Sequence, residues 1–596
     1  TDSRVSFEPL KEDYVKKFIG GSGIAAKILY DELDPYIDPL IPENKLVFMT
    51  GPLTGSLAPG CGRFVIASKS PLTGIWGEAG SAGYWGPELK FAGYDGSILE
   101  GRAENPIYLW INNENVELRD AEHLWGKDTI ETENKLKSEL KEPRSRIVTI
   151  GPSGERLAKI ACIVTDGGVA GRCGLGAVMG SKKLKAIAVR GTERVEVADE
   201  ASFRGLVEEI SLIIENNPRT KSLRSYGSAG SMEGNEVVGD VPIKNWMVDS
   251  WSDGAKKLSG QYMAKTILKR PVTCFACPIA CKREIELKSG PYAGVKGKGP
   301  EYETCASFGT MLLIDDIEVV AKANDLCTRC GMDTISCGSV IAFAYECYEK
   351  GLIKNKDVEG LNLSWGNNES FLKMIEMIGK RKGIGFILGE GVKIASEKIG
   401  KEAEKFAIHV KGLEMPMHDP RAYKSLALGY ATSSRGACHL QATSHWVERG
   451  MLFPEIGIKE KPDRFTSEGK AKMVIDMQNF MAVIDSLIIC KFALTCGYTL
   501  THLLKLIYSA TRYKINVDEF KTAGERIFNL KRLFNNRLGI SRKDDRLPDR
   551  INKPLPERGA KHKSPDLDLM LDEYYQLRGW DEEGRPTTEK LTELEL

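Results

Sequence analysis

Ala186-Ile-Ala-Val189 decides the fold, because it is the last of a series of short β-prone runs and the pattern turns helical soon after it. Upstream stand Lys45-Leu-Val-Phe-Met-Thr50, Phe64-Val-Ile-Ala-Ser68, Ile107-Tyr-Leu-Trp-Ile111 and Ile147-Val-Thr-Ile150, separated by glycine-dense turns, which is the pattern of sheet. Beyond Val197, amphipathic helices with acidic starts are expected over Ser202 to Asn216, Asp315 to Cys330, Ile335 to Lys350 and Glu369 to Lys382, with Gly331 and Gly351 at helix ends. A further joint falls between His409 and Pro420, where Met415-Pro-Met-His-Asp-Pro420 breaks the periodicity. The expectation is an α+β protein: a β-rich domain over residues 1–197, a mainly helical domain over 198–408 and a mainly helical C-terminal domain over 409–596.

Other stretches carry weaker signals. The chain opens at Thr1 without a methionine and soon enters a helical pattern, Leu10 to Leu33, so a strand ahead of it is either missing or processed. Pro242 to Pro271 reads as irregular. Ser486 to Tyr508 is apolar but interrupted by Lys491 and Lys505, which makes it a buried helix and not a membrane span. Two copies of Pro-Leu-Thr-Gly, at Pro52 to Gly55 and Pro71 to Gly74, suggest two similar turns.

The chain has 596 residues and 42% hydrophobic content, enough to bury several cores. Its 83 basic and 82 acidic residues leave a net charge of +1, so no global field argues for nucleic acid or a membrane as partner. Fourteen cysteines without a secretory leader fit a reducing compartment, and a cytoplasmic location is expected.

Three of those cysteines fall in Cys274-Phe-Ala-Cys277-Pro-Ile-Ala-Cys281. Thiolates at this spacing are ligands for an iron-sulfur cluster or for zinc, and a 4Fe-4S cluster needs a fourth, for which Cys490 and Cys496 are the downstream candidates. The radical-SAM order, C-x3-C-x2-C, is the reverse of this one. Three glycine-dense segments, Gly51 to Arg63, Gly80 to Gly86 and Asp166 to Gly180, would let backbone N–H groups approach an anion, with Arg63 offering a bidentate fork to phosphate. The bland alternative is tight turns in a β domain. None fits a P-loop.

Together with these features, Lys69-Ser-Pro-Leu-Thr-Gly74, Glu88-Leu-Lys-Phe-Ala-Gly-Tyr-Asp95, Gly176 to Val189, Gly299-Pro-Glu-Tyr-Glu303, Asp485-Ser-Leu-Ile-Ile-Cys490 and Tyr574 to Trp580 resemble the tungsten-containing aldehyde:ferredoxin oxidoreductase family along nearly the whole chain. The resemblance implies tungsten, occasionally molybdenum, held by two pyranopterins, a nearby 4Fe-4S cluster, Mg2+ bridging the pterin phosphates, and a β domain that cradles the cofactor. By position it implies Cys274, Cys277, Cys281 and Cys490 as cluster ligands, with Cys496 the alternative to the last. Arg63 would link cluster, pterin and phosphate. Gly80, Ser81, Ala82 and Gly83, with Ala170, Gly171 and Arg172, match the phosphate and magnesium-bridging segments. The second of these is one residue short and lacks a basic residue before Ala170. Asp333, Asp485, Ile489 and Cys490 lie in the two pterin motifs, where Thr328 replaces an aspartate and Ile488 a glycine.

The resemblance also implies Glu303 as general base, with His439 or Tyr302 polarising an aldehyde carbonyl, and electrons leaving through the cluster to ferredoxin or a ferredoxin-like iron-sulfur subunit. A same-family enzyme with another reaction, such as a benzoyl-CoA reductase-type subunit, and a non-catalytic electron-transfer subunit are the competing readings. A homodimer stays open. Lys322-Ala-Asn-Asp325 stands where some members carry a metal-binding E-x-x-H at the dimer interface, so no bridging metal is expected there. Cys327 and Cys330 are read as helix-core residues. Lys282-Arg283 reads as solvated or as an attractor for an acidic partner.

Overall fold

The computed structural model describes residues 4–166, 168–555 and 564–596. Gly167, in the third glycine-rich segment, lies outside them. Ten strands precede the helical region: β1 (Leu46–Met49), β2 (Arg63–Lys69), β3 (Trp76–Ala82), β4 (Gly96–Leu99), β5 (Ile107–Asn112), β6 (Asn115–Asp120), β7 (Arg146–Thr149), β8 (Ile163–Thr165), β9 (Val169–Ala170) and β10 (Leu184–Arg190). They form a four-stranded antiparallel sheet of order β3-β2-β1-β4 and a six-stranded sheet of order β6-β5-β10-β7-β8-β9. In the second, only the β10–β5 pairing is parallel. β10 is internal and buried on both faces, which is why Ala186-Ile-Ala-Val189 is continuously apolar and not alternating. The helix Leu175–Ser181 that leads into it packs so closely that a Cβ on Gly180 would stand 2.0 Å from the Gly154 carbonyl oxygen.

The expected helices appear with their caps. Asp199 caps Glu200–Asn216, Asp316 caps Ile317–Cys330, Asp333 caps Thr334–Glu349 and Asn367 caps Asn368–Lys380, each side chain accepting backbone N–H bonds from the first turn. Gly331 ends the second of these at φ 74°. Both Pro-Leu-Thr-Gly turns close on a left-handed glycine, Gly55 at φ 81° and Gly74 at φ 74°. The α+β class holds.

Three expectations need correction. The helical pattern at Leu10 to Leu33 is two helices, Glu12–Phe18 and Gly21–Glu32, because the chain turns at Ile19 and Gly21 N–H is tied to the Thr50 carbonyl at 2.9 Å. The stretch read as irregular contains helices Ser252–Lys257 and Gly260–Thr266 and runs into β11 (Leu268–Val272). With β12 (Lys282–Glu286) and β13 (Lys296–Lys298), β11 forms a small antiparallel sheet within the otherwise helical part. The apolar run from Ser486 is no single helix. It holds the end of Lys470–Leu487, then Lys491–Thr495 and Leu500–Thr511, broken at Ile488 (φ 62°) and Gly497 (φ 99°). Lys470–Leu487 packs between Gly21–Glu32 and Val517–Arg537, and no described helix is long and apolar enough to cross a membrane.

Candidate active site

The cysteine triplet is the loop between β11 and β12, and it folds back on itself through left-handed Ala276 (φ 48°) and Ala280 (φ 59°). Gly60 staples this loop to the fourth thiol: its N–H donates to the Ala276 carbonyl at 3.1 Å, and its own carbonyl accepts from Cys490 N–H at 2.9 Å. Gly60 sits at φ +80°, and a Cβ there would press on Cys490 Cβ at 3.3 Å. A glycine is therefore required at this junction. Phe275 N–H donates to the Gly83 carbonyl at 3.1 Å, which fastens the loop to the end of β3. Burial raises the thiol pKa of Cys274, Cys277 and Cys281, and the neighbouring Cys490 adds repulsion at all three. Such buried, mutually repelling thiols ionise readily only on a cation. Cys496 is fully buried beside Thr495, and Cys61 donates to the Ser56 carbonyl at 3.2 Å in the core.

Above this loop lies a cavity of about 530 Å³ lined by both sheets' glycine segments and by the helices. Arg63 reaches into it from β2 with its guanidinium 3.4 Å from where a Gly80 Cβ would stand, and that guanidinium has no hydrogen bond or ion pair to any described residue. Ser81 is buried with an unpartnered hydroxyl, Ala82 offers its carbonyl to Lys282 Nζ, and Ala170 ends the short β9. Arg172 pairs with Asp333 at 3.2 Å and donates to the Glu414 carbonyl, while Gly171 lies so near that its Cβ would meet Asp333 Oδ1 at 3.3 Å. Asp485 pairs with Lys491 at 2.9 Å. Ile489 is buried at the cavity wall, next to Ile488, which occupies the left-handed conformation that the family's glycine would adopt more freely.

Two lysines distant in sequence reach the segments around Ala82 and Ala170. Lys298 on β13 donates to the Thr165 carbonyl and, at 3.2 Å, to that of Gly168, and Lys282 donates to the Ala82 carbonyl at 3.0 Å. Both line the cavity. Burial, with Lys282 nearby, pushes the Lys298 pKa down to about 8. Lys282-Arg283 is thus no docking pair: Arg283 is 4% exposed and donates to four backbone carbonyls, those of Leu223, Ser225, Ala280 and Cys281. The unpaired guanidinium and the two half-buried lysines are the donor set that phosphate and pterin would use, and the four thiols suit an iron-sulfur cluster.

Glu303, on the helix Tyr302–Phe308, faces the same cavity. Its Oε2 accepts the Met417 N–H at 2.9 Å, whereas Oε1 is buried with no hydrogen bond and stands 3.5 Å from Nε2 of both His418 and His439. Burial raises the Glu303 pKa against the opposing pull of His418, Met417 N–H and Arg172. Burial, with His418 and Arg172, pushes the His439 pKa well down, so that ring stays neutral. Tyr302 donates its hydroxyl to the Met417 carbonyl at 2.8 Å and stacks on His418 at 4.9 Å. Without substrate its proton is taken by that carbonyl, although Tyr302 also lines the cavity.

Several residues of this wall went unread in the sequence. His418 holds Asp240 at 2.7 Å through Nδ1, Arg449 also binds Asp240, and His445 lies 5.0 Å from the His418 ring. Beneath the cavity Glu78 is buried among Lys531 (2.8 Å), Ser22, Gln441 and Arg435. The irregular Met415 to Pro420 run was the one signal for His418, since a histidine beside an aspartate in a non-periodic buried segment is poorly explained by packing. Elsewhere, Asp325 pairs with Arg329 at 3.0 Å and Lys322 at 3.7 Å, and Cys327 is fully buried in its helix.

The family models for aldehyde ferredoxin oxidoreductase match residues 1–191 (N-terminal domain) and 205–596 (domains 2 and 3). The chain is 42% identical to the tungsten-containing aldehyde ferredoxin oxidoreductase of Pyrococcus furiosus, over 99% of this chain and 96% of that protein. It is 32% identical to an aliphatic sulfonate oxidoreductase, WOR-like subunit, of the same organism, over 100% and 95% of the two chains. Among solved structures it resembles the active-site complex BamBC of benzoyl-coenzyme A reductase bound to 1,5-dienoyl-CoA, with a TM-score of 0.84 and 30% identity over 98% of this chain and 94% of that one. With full-length matches joining the cysteine loop, the glycine cradle and the Glu303 wall, the chain belongs to the aldehyde ferredoxin oxidoreductase family of tungsten enzymes.

Proposed function

We propose that this protein oxidises an aldehyde to its carboxylic acid and passes the electrons through a 4Fe-4S cluster to ferredoxin or an iron-sulfur partner subunit. The observation that carries this reading is Glu303: a half-buried carboxylate with one committed and one free, buried oxygen, the free one facing two imidazole nitrogens in a cavity that Cys490 also lines. Cys274, Cys277, Cys281 and Cys490 would hold the cluster. Arg63 would span cluster and pterin, Asp333 and Asp485 would meet the pterin rings beside Ile489, and the segments Gly80 to Gly83 and Ala170 to Arg172 would carry phosphate and Mg2+ with help from Lys282 and Lys298. When bound, the bis-pyranopterin tungsten (or molybdenum) supplies a two-electron acceptor and a Lewis-acidic site.

The residues do the rest. Oxidation follows RCHO + H2O → RCOOH + 2H+ + 2e−, so water must lose a proton while the carbonyl oxygen gains a hydrogen bond. Oε1 of Glu303 takes the proton, since Oε2 is held by Met417. His439, neutral at working pH, presents its Nε2 to the same point and orients the carbonyl. The mainly apolar lining of the cavity limits competition from bulk water and strengthens both contacts.

The test is anaerobic purification with tungsten, molybdenum and iron quantified, followed by a viologen-dye assay with aldehydes, aliphatic sulfonates and a dienoyl-CoA in parallel. The expected outcome is tungsten with about four iron per chain and dye reduction that depends on aldehyde. Metal-replete protein that ignores every aldehyde but turns over the thioester or the sulfonate would replace this reading with one of its relatives' reactions.

A further inference from the structure

His418 is better built for chemistry than for packing. Its ring is clamped between Tyr302, stacked at 4.9 Å, and His445 at 5.0 Å, and its carbonyl accepts the Tyr430 hydroxyl at 2.9 Å. Its Nδ1 lies 2.7 Å from Asp240 Oδ2. Asp240 is fully buried, is held again by Arg449, and accepts the Asp419 N–H at 3.2 Å through its other oxygen. Burial works against its ionisation, but His418 and Arg449 outweigh burial and keep it a carboxylate. An ionised acceptor fixes the tautomer: Nδ1 carries the hydrogen, and Nε2 turns its lone pair towards Glu303 Oε1 at 3.5 Å.

We infer that His418 is a second catalytic acid–base residue, which receives at Nε2 the proton that Glu303 Oε1 has taken from water, and that Asp240, fixed by Arg449, is its positioning residue. The inference rests on the aldehyde-oxidation reading. In the step an O–H bond on Glu303 breaks and an N–H bond on His418 forms; the two electrons of the reaction would be taken up by the tungsten-pterin group when it is bound. Two protons are released per turnover, and Glu303 alone can hold one. Relayed to His418, the first leaves Glu303 free for the second. The groups facing His418 are Asp240, Glu303, Arg449 and the rings of His439, His445, Tyr302 and Tyr430. The transfer leaves the total charge of this set unchanged and places the proton on a ring that stands between two carboxylates, Asp240 at 2.7 Å and Glu303 at 3.5 Å, which favour an imidazolium. The 3.5 Å separation is of the order that active-site hydrogen bonds show before substrate tightens them.

The experiment compares anaerobically prepared wild type with His418→Gln and Asp240→Asn. It measures tungsten and iron content, kcat and KM for one good aldehyde against pH and in D2O, and histidine 15N NMR of the same proteins without substrate. Expected are unchanged metal contents and a kcat of His418→Gln down by ~10²-fold at little change in KM. A pH-rate limb that matches the titration of the resonance absent in His418→Gln should vanish in that variant, and added imidazole should restore part of the rate. Asp240→Asn should turn the His418 Nδ1 signal from fully protonated to a tautomer mixture and lower kcat. A metal-replete His418→Gln within about threefold of wild type, an Nδ1 signal indifferent to Asp240→Asn, or loss of tungsten from both variants would each overturn the inference. Failure of wild type itself to oxidise any aldehyde overturns the functional reading, and this one with it.

Discussion

Lys298 brings a positive charge to the glycine cradle from far along the sequence. It approaches the carbonyls of Thr165 and Gly168 from β13, more than a hundred residues downstream, beside Lys282 from β12. With no ion pair among the described residues, its desolvation is a cost that an anion in the cavity would offset. The sign follows from its lowered pKa of about 8 against the ordinary 10.5. Between those values the unfolded chain binds more protons than the folded one, so the stability of cofactor-free protein rises with pH across that window. Lys298→Met should flatten the rise, seen as Tm against pH, and should lower tungsten and pterin content in protein made under cofactor-replete conditions. Full tungsten occupancy in Lys298→Met would remove it from the phosphate contact.

At the scale of elements, the site depends on junctions where helices and strands stop. Cys490 follows Ile488, where the helix Lys470–Leu487 ends in a left-handed turn that costs a branched residue about 1–2 kcal/mol. Burying the Ile488 side chain, worth about 1.5–3 kcal/mol, offsets the strain, and this explains how the chain manages without the family's glycine there. The turn delivers Cys490 to Gly60 and the cysteine loop. Cys490→Ser should therefore lose the iron-sulfur absorbance and iron, while Cys496→Ser, in a buried position beside Thr495, should keep both. The reverse pattern would move the fourth ligand to Cys496. The helices were legible in sequence because caps such as Asp316 and Asp333 and stops such as Gly331 are local signals. The break at Ile488 was not, since an apolar run looks the same in one helix or three. Nor was the β11–β13 sheet, whose strands are short and charged.

The whole molecule brings together residues that sequence distance hides. Cys274, Cys277, Cys281, Arg63, Glu303 and His439 were readable because each sits in a compact motif that matches the family. His418 and Asp240 stand 178 positions apart, and Glu78 and Lys531 stand 453 apart, so only the fold makes them partners. The β sheets supply the glycine cradle, the small sheet supplies the cysteine loop, and the helical part supplies the acid–base wall. Each faces one cavity. The claim that this cavity oxidises aldehydes through Glu303 is tested most directly by aldehyde-dependent viologen reduction in wild type and Glu303→Gln at matched tungsten and iron contents. Because burial raises the Glu303 pKa, wild-type rates should fall as pH drops through a value above the ordinary carboxylate range, where the base becomes protonated. Glu303→Gln keeps size and the Met417 contact but cannot accept a proton, so its rate should fall by ~10²- to 10⁴-fold, with cluster reduction by chemical reductants unaffected. Near-normal aldehyde oxidation by fully metallated Glu303→Gln would contradict the account.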